Sequence, residues 1–386
     1  MQTRLAQIGY ASPAMAPKRI LLSTISLLVS LVCISSTSSA QAIPGPLATA
    51  KQIQNMLVQR VDVQHKSDGI VVGVITKQAR EIISYGHFDR DDSRVPNGDT
   101  VFEIGSISKV FTSLLLSEMV LEGEVKLSDP ISKYLPAWVH APSRNGKQIT
   151  LLDLATHHSG LPREATNASW NYSLQQLYEF LDHYQLTRDP GQKYEYSNIG
   201  VSVLGVILAT RADTDYETLL RTRITAPLGM NRTATGLAPE MKANLAPGHD
   251  GRLYKVPAWN IPVLSSAGGI RSTANDLLIF LAANMGIIHT PLQTAMKKML
   301  SVRRTAGPGS QIDLGWHVAT DMGGVICHNG QTDGYHSFLG YDPHRHIGVV
   351  VLSNSNESID DIAWHIFSYP MTPLVQERIG PPNFPQ

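Results

Sequence analysis

Apolar residues are laid out differently at the two ends of this chain and in its middle. Near the N-terminal end, residues 47–61 carry them at helical spacing, and residues 70–76 and 81–85 then read as two strands joined by a polar turn at Lys77-Gln78. From Ser106 to about Asn284 helical and loop signals dominate. Strand character returns over residues 334–341 and 347–353, separated by the turn Asp342-Pro343-His344-Arg345. Residues 356–369 have the spacing of an amphipathic closing helix, opened by Asn356-Glu357-Ser358, and the Pro-rich tail after Gly380 reads as loose. Strands at both ends with helices between them predict an α+β protein. One antiparallel sheet draws on about 47–100 and 265–370, with a helical region over about 101–264.

The first forty residues do not belong to that pattern. Arg4, Lys18 and Arg19 precede an apolar run from Ile20 to Ile34, followed by a Ser/Thr-rich stretch ending Ser38-Ser39-Ala40. This is the layout of a secretory signal with cleavage after Ala40, and the run is short for a membrane span, which needs about 20 residues. The expectation is therefore an exported protein, periplasmic or secreted, with no stable membrane span after cleavage and a single catalytic domain over 41–386. Cys33 leaves with the signal, so Cys327 becomes the sole mature cysteine and reads as a small buried side chain.

The chain has 386 residues with Lys+Arg 32 and Asp+Glu 32, so its formal net charge is zero. That balance offers no electrostatic footprint for nucleic acid; a small-molecule or peptide substrate fits it. His157-His158 and His344-Arg345-His346 read as loop or surface histidines, because no His-Glu-x-x-His or cysteine cluster accompanies them. No metal and no cofactor is called for. Arg163-Glu164 reads first as a loop ion pair, with cleft lining as the other reading. Asn167-Ala168-Ser169 matches a glycosylation acceptor in a host that modifies exported proteins.

Three short motifs carry candidate chemistry. Ser106 is the chain's one serine with a lysine three positions on, in Gly105-Ser106-Ile107-Ser108-Lys109 ahead of an apolar helical run. Positions i and i+3 share a helix face, so the Lys109 amine can reach the Ser106 hydroxyl. A lysine serves as a base when burial or nearby positive charge lowers its pKa; the plain alternative is a capping serine beside a solvated lysine. Tyr196 and Asn198 form the one Tyr-x-Asn, on a turn after Pro190-Gly191. The tyrosine reads as a phenol partly ionised by a nearby cation, as a proton relay, or as an aromatic anchor, and Asn198 as a substrate-amide contact or a cap. His328-Asn329-Gly330-Gln331 precedes the late strands and could itself edge the sheet, offering the Gln331 N–H to an oxyanion beside that of Ser106.

Taken together, Ser-x-x-Lys, Tyr-x-Asn about ninety residues on and a late His-x-Gly resemble the serine β-lactamase and penicillin-binding-protein superfamily. The branch resembled is that of class C β-lactamases, D-alanyl-D-alanine carboxypeptidases and family VIII esterases. Asp129-Pro130-Ile131-Ser132-Lys133-Tyr134-Leu135-Pro136, the segment from Ile149 to Pro162 and the segment from Ser266 to Leu277 share in the likeness. The resemblance implies a five-stranded antiparallel sheet flanked by terminal helices and joined to an all-helical region. It implies Ser106 as acylated nucleophile, Lys109 as its proton acceptor and Tyr196 as the relay to the leaving group and the deacylating water. It further implies Asn198 on the substrate amide, the N–H groups of Ser106 and Gln331 as oxyanion donors, and His328 with Gly330 lining the cleft opposite Tyr196. Class C β-lactamases carry Lys-Thr-Gly where His328-Asn329-Gly330 stands, so weaker carboxylate recognition is expected at that position.

Overall fold

The computed structural model describes residues 47–165 and 173–367. The leader expected over 1–40, the acceptor at Asn167, the end of the closing helix at Tyr369 and the Pro-rich tail lie outside the described residues. Among the described residues no helix is long and apolar enough to cross a membrane.

Both ends of the chain contribute to one antiparallel sheet, as their strand patterns predict. Its strands are β1 (Gly69–Ile75), β2 (Arg80–Gly86), β3 (Arg304–Thr305), β4 (Ser310–Ile312), β5 (His317–Ala319), β6 (Val325–Gln331), β7 (His336–Asp342) and β8 (Ile347–Ser353). They lie in the order β2-β1-β8-β7-β6-β5-β4-β3, and β1 pairs with β8 from Ile70 opposite Ser353 to Ile75 opposite Gly348. The expected five strands are therefore eight. The five wide strands are seven residues each, and β3, β4 and β5 have two or three residues, too short for alternation to register. The His328–Gln331 segment forms the end of β6; pairing with β5 stops at Cys327, so these four residues pair with β7 alone and edge the sheet on their other side, as the sequence suggested.

Successive side chains of β1 point to opposite faces, and both faces are covered, so the strand is buried throughout. Ile70, Val72 and Val74 pack with Ile53 and Leu57 of helix α1 (Ala50–Val58) and with Trp364 of the closing helix. Val71 and Ile75 join the second core with Leu277, Leu278 and Leu281. A capping box sets the start of α1, with the Thr49 hydroxyl and the Gln52 side chain each accepting from the other's backbone N–H. The closing helix is shorter than its spacing predicts, Asp360–Ile366. Ahead of it the Ser355 and Ser358 hydroxyls accept from the N–H groups of Glu357 and Asp360, local bonds that compete with a helical start.

Helix α2 (Ser108–Leu121) is buried nearly all round, the mark of a helix enclosed in a core. Phe111 stacks on Phe280 with centroids 4.4 Å apart. This rigid helix begins two residues after Ser106, so packing around α2 fixes the approach of the candidate nucleophile. Phe111→Ala is expected to lower the unfolding free energy by about 3–5 kcal/mol. Val63→Ala, at a residue 60% exposed, should stay within about 0.5 kcal/mol. Urea denaturation followed by circular dichroism checks both, and equal losses would contradict this placement of α2.

Candidate active site

Ser106 sits in a 3-10 turn, Gly105–Ile107, that feeds directly into α2. Lys109 lies on the first turn of that helix and is 1% exposed. Its Nζ is 2.9 Å from Ser106 Oγ and 2.6 Å from the carbonyl oxygen of Ala267, in the short helix Ser265–Gly268. Burial holds the amine well below the ordinary lysine range, with the Arg163 guanidinium adding to the effect and the Glu164 carboxylate opposing it. Nζ also stands 4.8 Å from the centre of the Tyr196 ring, a placement that favours a cation by about 0.5–2 kcal/mol. Desolvating an ion costs several kcal/mol, so burial outweighs that attraction and shifts Lys109 towards its neutral form. A neutral amine has a lone pair, and the Ser106 hydroxyl can donate to it while an amine N–H donates to Ala267.

The Tyr-Ser-Asn segment is held by a helix start. Ser197 caps helix α3 (Asn198–Arg211): its hydroxyl accepts from the N–H of Gly200 at 2.8 Å and donates to the Pro162 carbonyl at 2.6 Å. Tyr196, just ahead of the cap, donates from its phenol to Ser106 Oγ at 2.6 Å. Its pKa is raised, chiefly by burial, with the Ser106 hydrogen bond and Arg163 pulling the other way. The reading of a partly ionised phenol is thereby corrected: burial keeps the proton on Tyr196. Asn198 opens α3, and its side-chain amide donates to the Glu164 carboxylate.

The β6 strand closes the other side. A β-carbon on Gly330 would collide with the Ile104 carbonyl oxygen and lie 2.9 Å from the Ser106 nitrogen, so the strand presses against the turn as only glycine permits. Gly105 interlocks from the opposite direction. Its φ is +48°, and a β-carbon there would lie 2.7 Å from the Gln331 nitrogen. The Gln331 side chain turns away to donate to the Asn356 carbonyl at 2.8 Å, so Gln331 faces Ser106 with its backbone.

A cleft opens over these groups, with Ser106, Arg163, Asn198 and Gln331 in its walls together with Trp259 and Leu264. His328 departs from its expected place as a cleft-lining group. It is 2% exposed. Its Nδ1–H donates to the Asn329 carbonyl at 2.6 Å, and its ring meets that of His317 at 5.1 Å. Burial pushes its pKa down to about 3. Cys327 is buried, as expected.

The sequence placed Arg163 and Glu164 first as a loop pair and missed His157. Arg163 and Glu164 line and back the cleft instead of simply pairing on a loop; their Nε and Oε1 are 3.9 Å apart. His157 lies in the turn after the helix Leu151–Ala155, as a loop histidine would, but is buried and not at the surface. Its ring stacks on Tyr196 at 4.4 Å, and its Nδ1 accepts the Ser197 N–H at 3.1 Å. Its place in the Ile149–Pro162 framework segment was the available signal. Among the described residues no group of three or more His, Cys, Asp or Glu side chains is arranged to hold a metal ion.

The family model for Beta-lactamase matches residues 53–365. The chain belongs to the beta-lactamase family. Membership makes it an enzyme, a serine hydrolase. Within that family it is 28% identical over 359 residues to the D-alanyl-D-alanine-carboxypeptidase/endopeptidase AmpH of Escherichia coli K12, covering 85% of this chain and 92% of that protein. The D-alanine carboxypeptidase AmpC of Burkholderia cenocepacia superposes with TM-score 0.71 at 28% identity, over 82% of this chain and 99% of that one. A class C beta-lactamase superposes with TM-score 0.74 at 24% identity, over 83% and 96%, a likeness of fold.

Burial lowers the pKa of His157, His317 and His328 below the ordinary histidine value. The folded protein holds them neutral, whereas the unfolded chain takes up protons below about pH 6.5. Their contribution to stability is therefore complete above that pH and lost as pH falls towards the depressed values. His317→Gln should flatten the decline of the urea midpoint between pH 7.5 and 5 relative to wild type; equal slopes would contradict the buried neutral cluster.

Proposed function

We propose that this beta-lactamase-family enzyme is an exported serine hydrolase that works through an acyl-enzyme on Ser106, opening a D-alanyl peptide amide or the amide of a β-lactam. One observation carries the reading: Ser106 Oγ lies between the Tyr196 phenol at 2.6 Å and the buried Lys109 amine at 2.9 Å. In the acylation step Ser106 Oγ bonds to the substrate carbonyl carbon and its proton passes to Lys109. The carbonyl π electrons move to oxygen, where the N–H groups of Ser106 and Gln331 receive the negative charge, a contribution of about 3–4 kcal/mol per donor. When the C–N bond breaks, Tyr196 delivers a proton to the leaving nitrogen and recovers one from Lys109. A water then adds to the acyl carbon, the same groups take its proton, and the Ser106 hydroxyl is restored as the acid departs.

Asn198 orients the substrate amide in this scheme, and Gly330 supplies the close approach of β6 that brings Gln331 beside the nucleophile. His328 contributes a neutral, buried ring instead of a lysine's charge. That feature favours carboxylesterase activity of the family VIII kind as the second reading, since an ester needs less leaving-group protonation and no carboxylate anchor at that position. The Escherichia coli relative, a D-alanyl-D-alanine-carboxypeptidase/endopeptidase, supports the peptide reading. A non-catalytic cell-wall-peptide binder would have no use for a neutral amine and a phenol converging on one hydroxyl. Residues 1–40 serve as the export signal, and the chain needs no cofactor.

Stopped-flow turnover of nitrocefin, a D-Ala-D-Ala peptide and short-chain 4-nitrophenyl esters, with intact-mass detection of an adduct on Ser106, tests the reading. A burst of one equivalent with at least one substrate is expected, abolished in Ser106→Ala. Tyr196→Phe should slow amide turnover by about 10²–10⁴ and activated esters less. Equal turnover by wild type and Ser106→Ala would overturn the assignment.

A further inference from the structure

We infer that Arg163 forms an anion-binding subsite on the Asn198 side of the cleft, selecting acyl donors whose acyl chain carries a carboxylate. The inference rests on the acyl-enzyme reading and adds the class of acyl group the cleft prefers.

The backbone fixes Arg163 where such a group would arrive. Its carbonyl oxygen accepts from the N–H groups of Asn198 at 3.0 Å and Ile199 at 3.4 Å, tying the residue to the first turn of α3. The guanidinium carbon stands 5.3 Å from the centre of the Tyr196 ring. Arg163 lines the cleft together with Ser106 and Asn198, and its side chain keeps 34% exposure. It thus shares the cleft wall with the hydroxyl that attacks the substrate.

Charge placement favours an anion there. Among the described residues that line the cleft, Arg163 is the one bearing a formal charge, and Trp259, Ile261 and Leu264 make the neighbouring walls apolar. The Glu164 carboxylate is not among the groups lining the cleft; it accepts from the Asn198 amide, and its Oε1 stands 3.9 Å from Arg163 Nε, a separation longer than a hydrogen bond. His328, at the position where a lysine would attract a carboxylate beside β6, is enclosed and neutral. Positive charge has therefore moved from the β6 flank to the Asn198 flank. Asn198 orients the substrate amide in the acyl-enzyme scheme, so the group next to Arg163 belongs to the acyl chain and not to the departing amine or alcohol. A guanidinium presents a planar fork that matches a carboxylate with two parallel hydrogen bonds.

Two esters that differ in one charge provide the test: 4-nitrophenyl hydrogen adipate, anionic at the far end of its acyl chain, and its neutral methyl ester. Both are assayed at pH 7.5, with spontaneous hydrolysis subtracted, for wild type, Arg163→Gln, Arg163→Lys and Ser106→Ala. Because the Arg163 charge also helps to keep Lys109 neutral, the ratio of kcat/KM for the two esters is the quantity read, not either rate alone. Arg163→Gln should lower that anionic-to-neutral ratio at least tenfold, mainly through KM, and Arg163→Lys should recover part of it. Raising salt from 0.05 to 0.5 M should reduce the ratio in wild type and leave it flat in Arg163→Gln. A ratio unchanged by Arg163→Gln overturns the subsite, and so does a salt-independent ratio in wild type should that variant fail to fold. Hydrolysis of both esters at equal rates in Ser106→Ala and wild type would instead sink the acyl-enzyme reading, and the subsite with it.

Discussion

The removal of one amine from water governs this molecule. Lys109 is enclosed at the start of α2, between the Ser106 hydroxyl, the Ala267 carbonyl and the Tyr196 ring. A solvated lysine there would be a cation with no lone pair to offer, and Ser106 would be an ordinary serine. Burial reverses this, because the protein cannot supply the hydration that an ammonium loses. The same enclosure keeps Tyr196 protonated and His157, His317 and His328 neutral. Burial thus biases the groups in contact here towards their uncharged forms, from which a proton can pass without first separating charge.

The fold supplies that enclosure from distant parts of the chain. The turn before α2 brings the serine, the cap of α3 brings the phenol, and the helix Ser265–Gly268 brings the carbonyl that holds the amine. β6 seals the remaining side, through the interlock of Gly330 against Ile104 and Gly105 against Gln331. None of these elements creates the site alone. The sheet that unites both ends of the chain, with apolar cores on its two faces, holds them in register.

What the sequence made legible follows from how local each signal is. The wide strands at both ends show their apolar character over enough residues to be recognised, and Ser106-Lys109 and Tyr196-Asn198 are spacings within one turn of chain. β3 to β5 have no such length, and Gly and Pro between them read as loop. The burial of His157, His317 and His328 was invisible for a different reason. Each imidazole is enclosed by residues from remote segments, as His157 is by Tyr196, and nothing adjacent in sequence records it. Arg163 and Glu164 looked like a local ion pair because they are neighbours, yet their roles come from α3, thirty-five residues further on.

Titration of the Lys109 side chain by NMR, with lysine labelled at Cε and Nζ and the signal assigned through Lys109→Arg, tests the central claim most directly. The account predicts a midpoint well below the ordinary lysine value near 10.4, with the neutral amine present in the resting enzyme. A midpoint at or above that value would show a charged lysine beside Ser106, and a different group would then have to take the serine's proton.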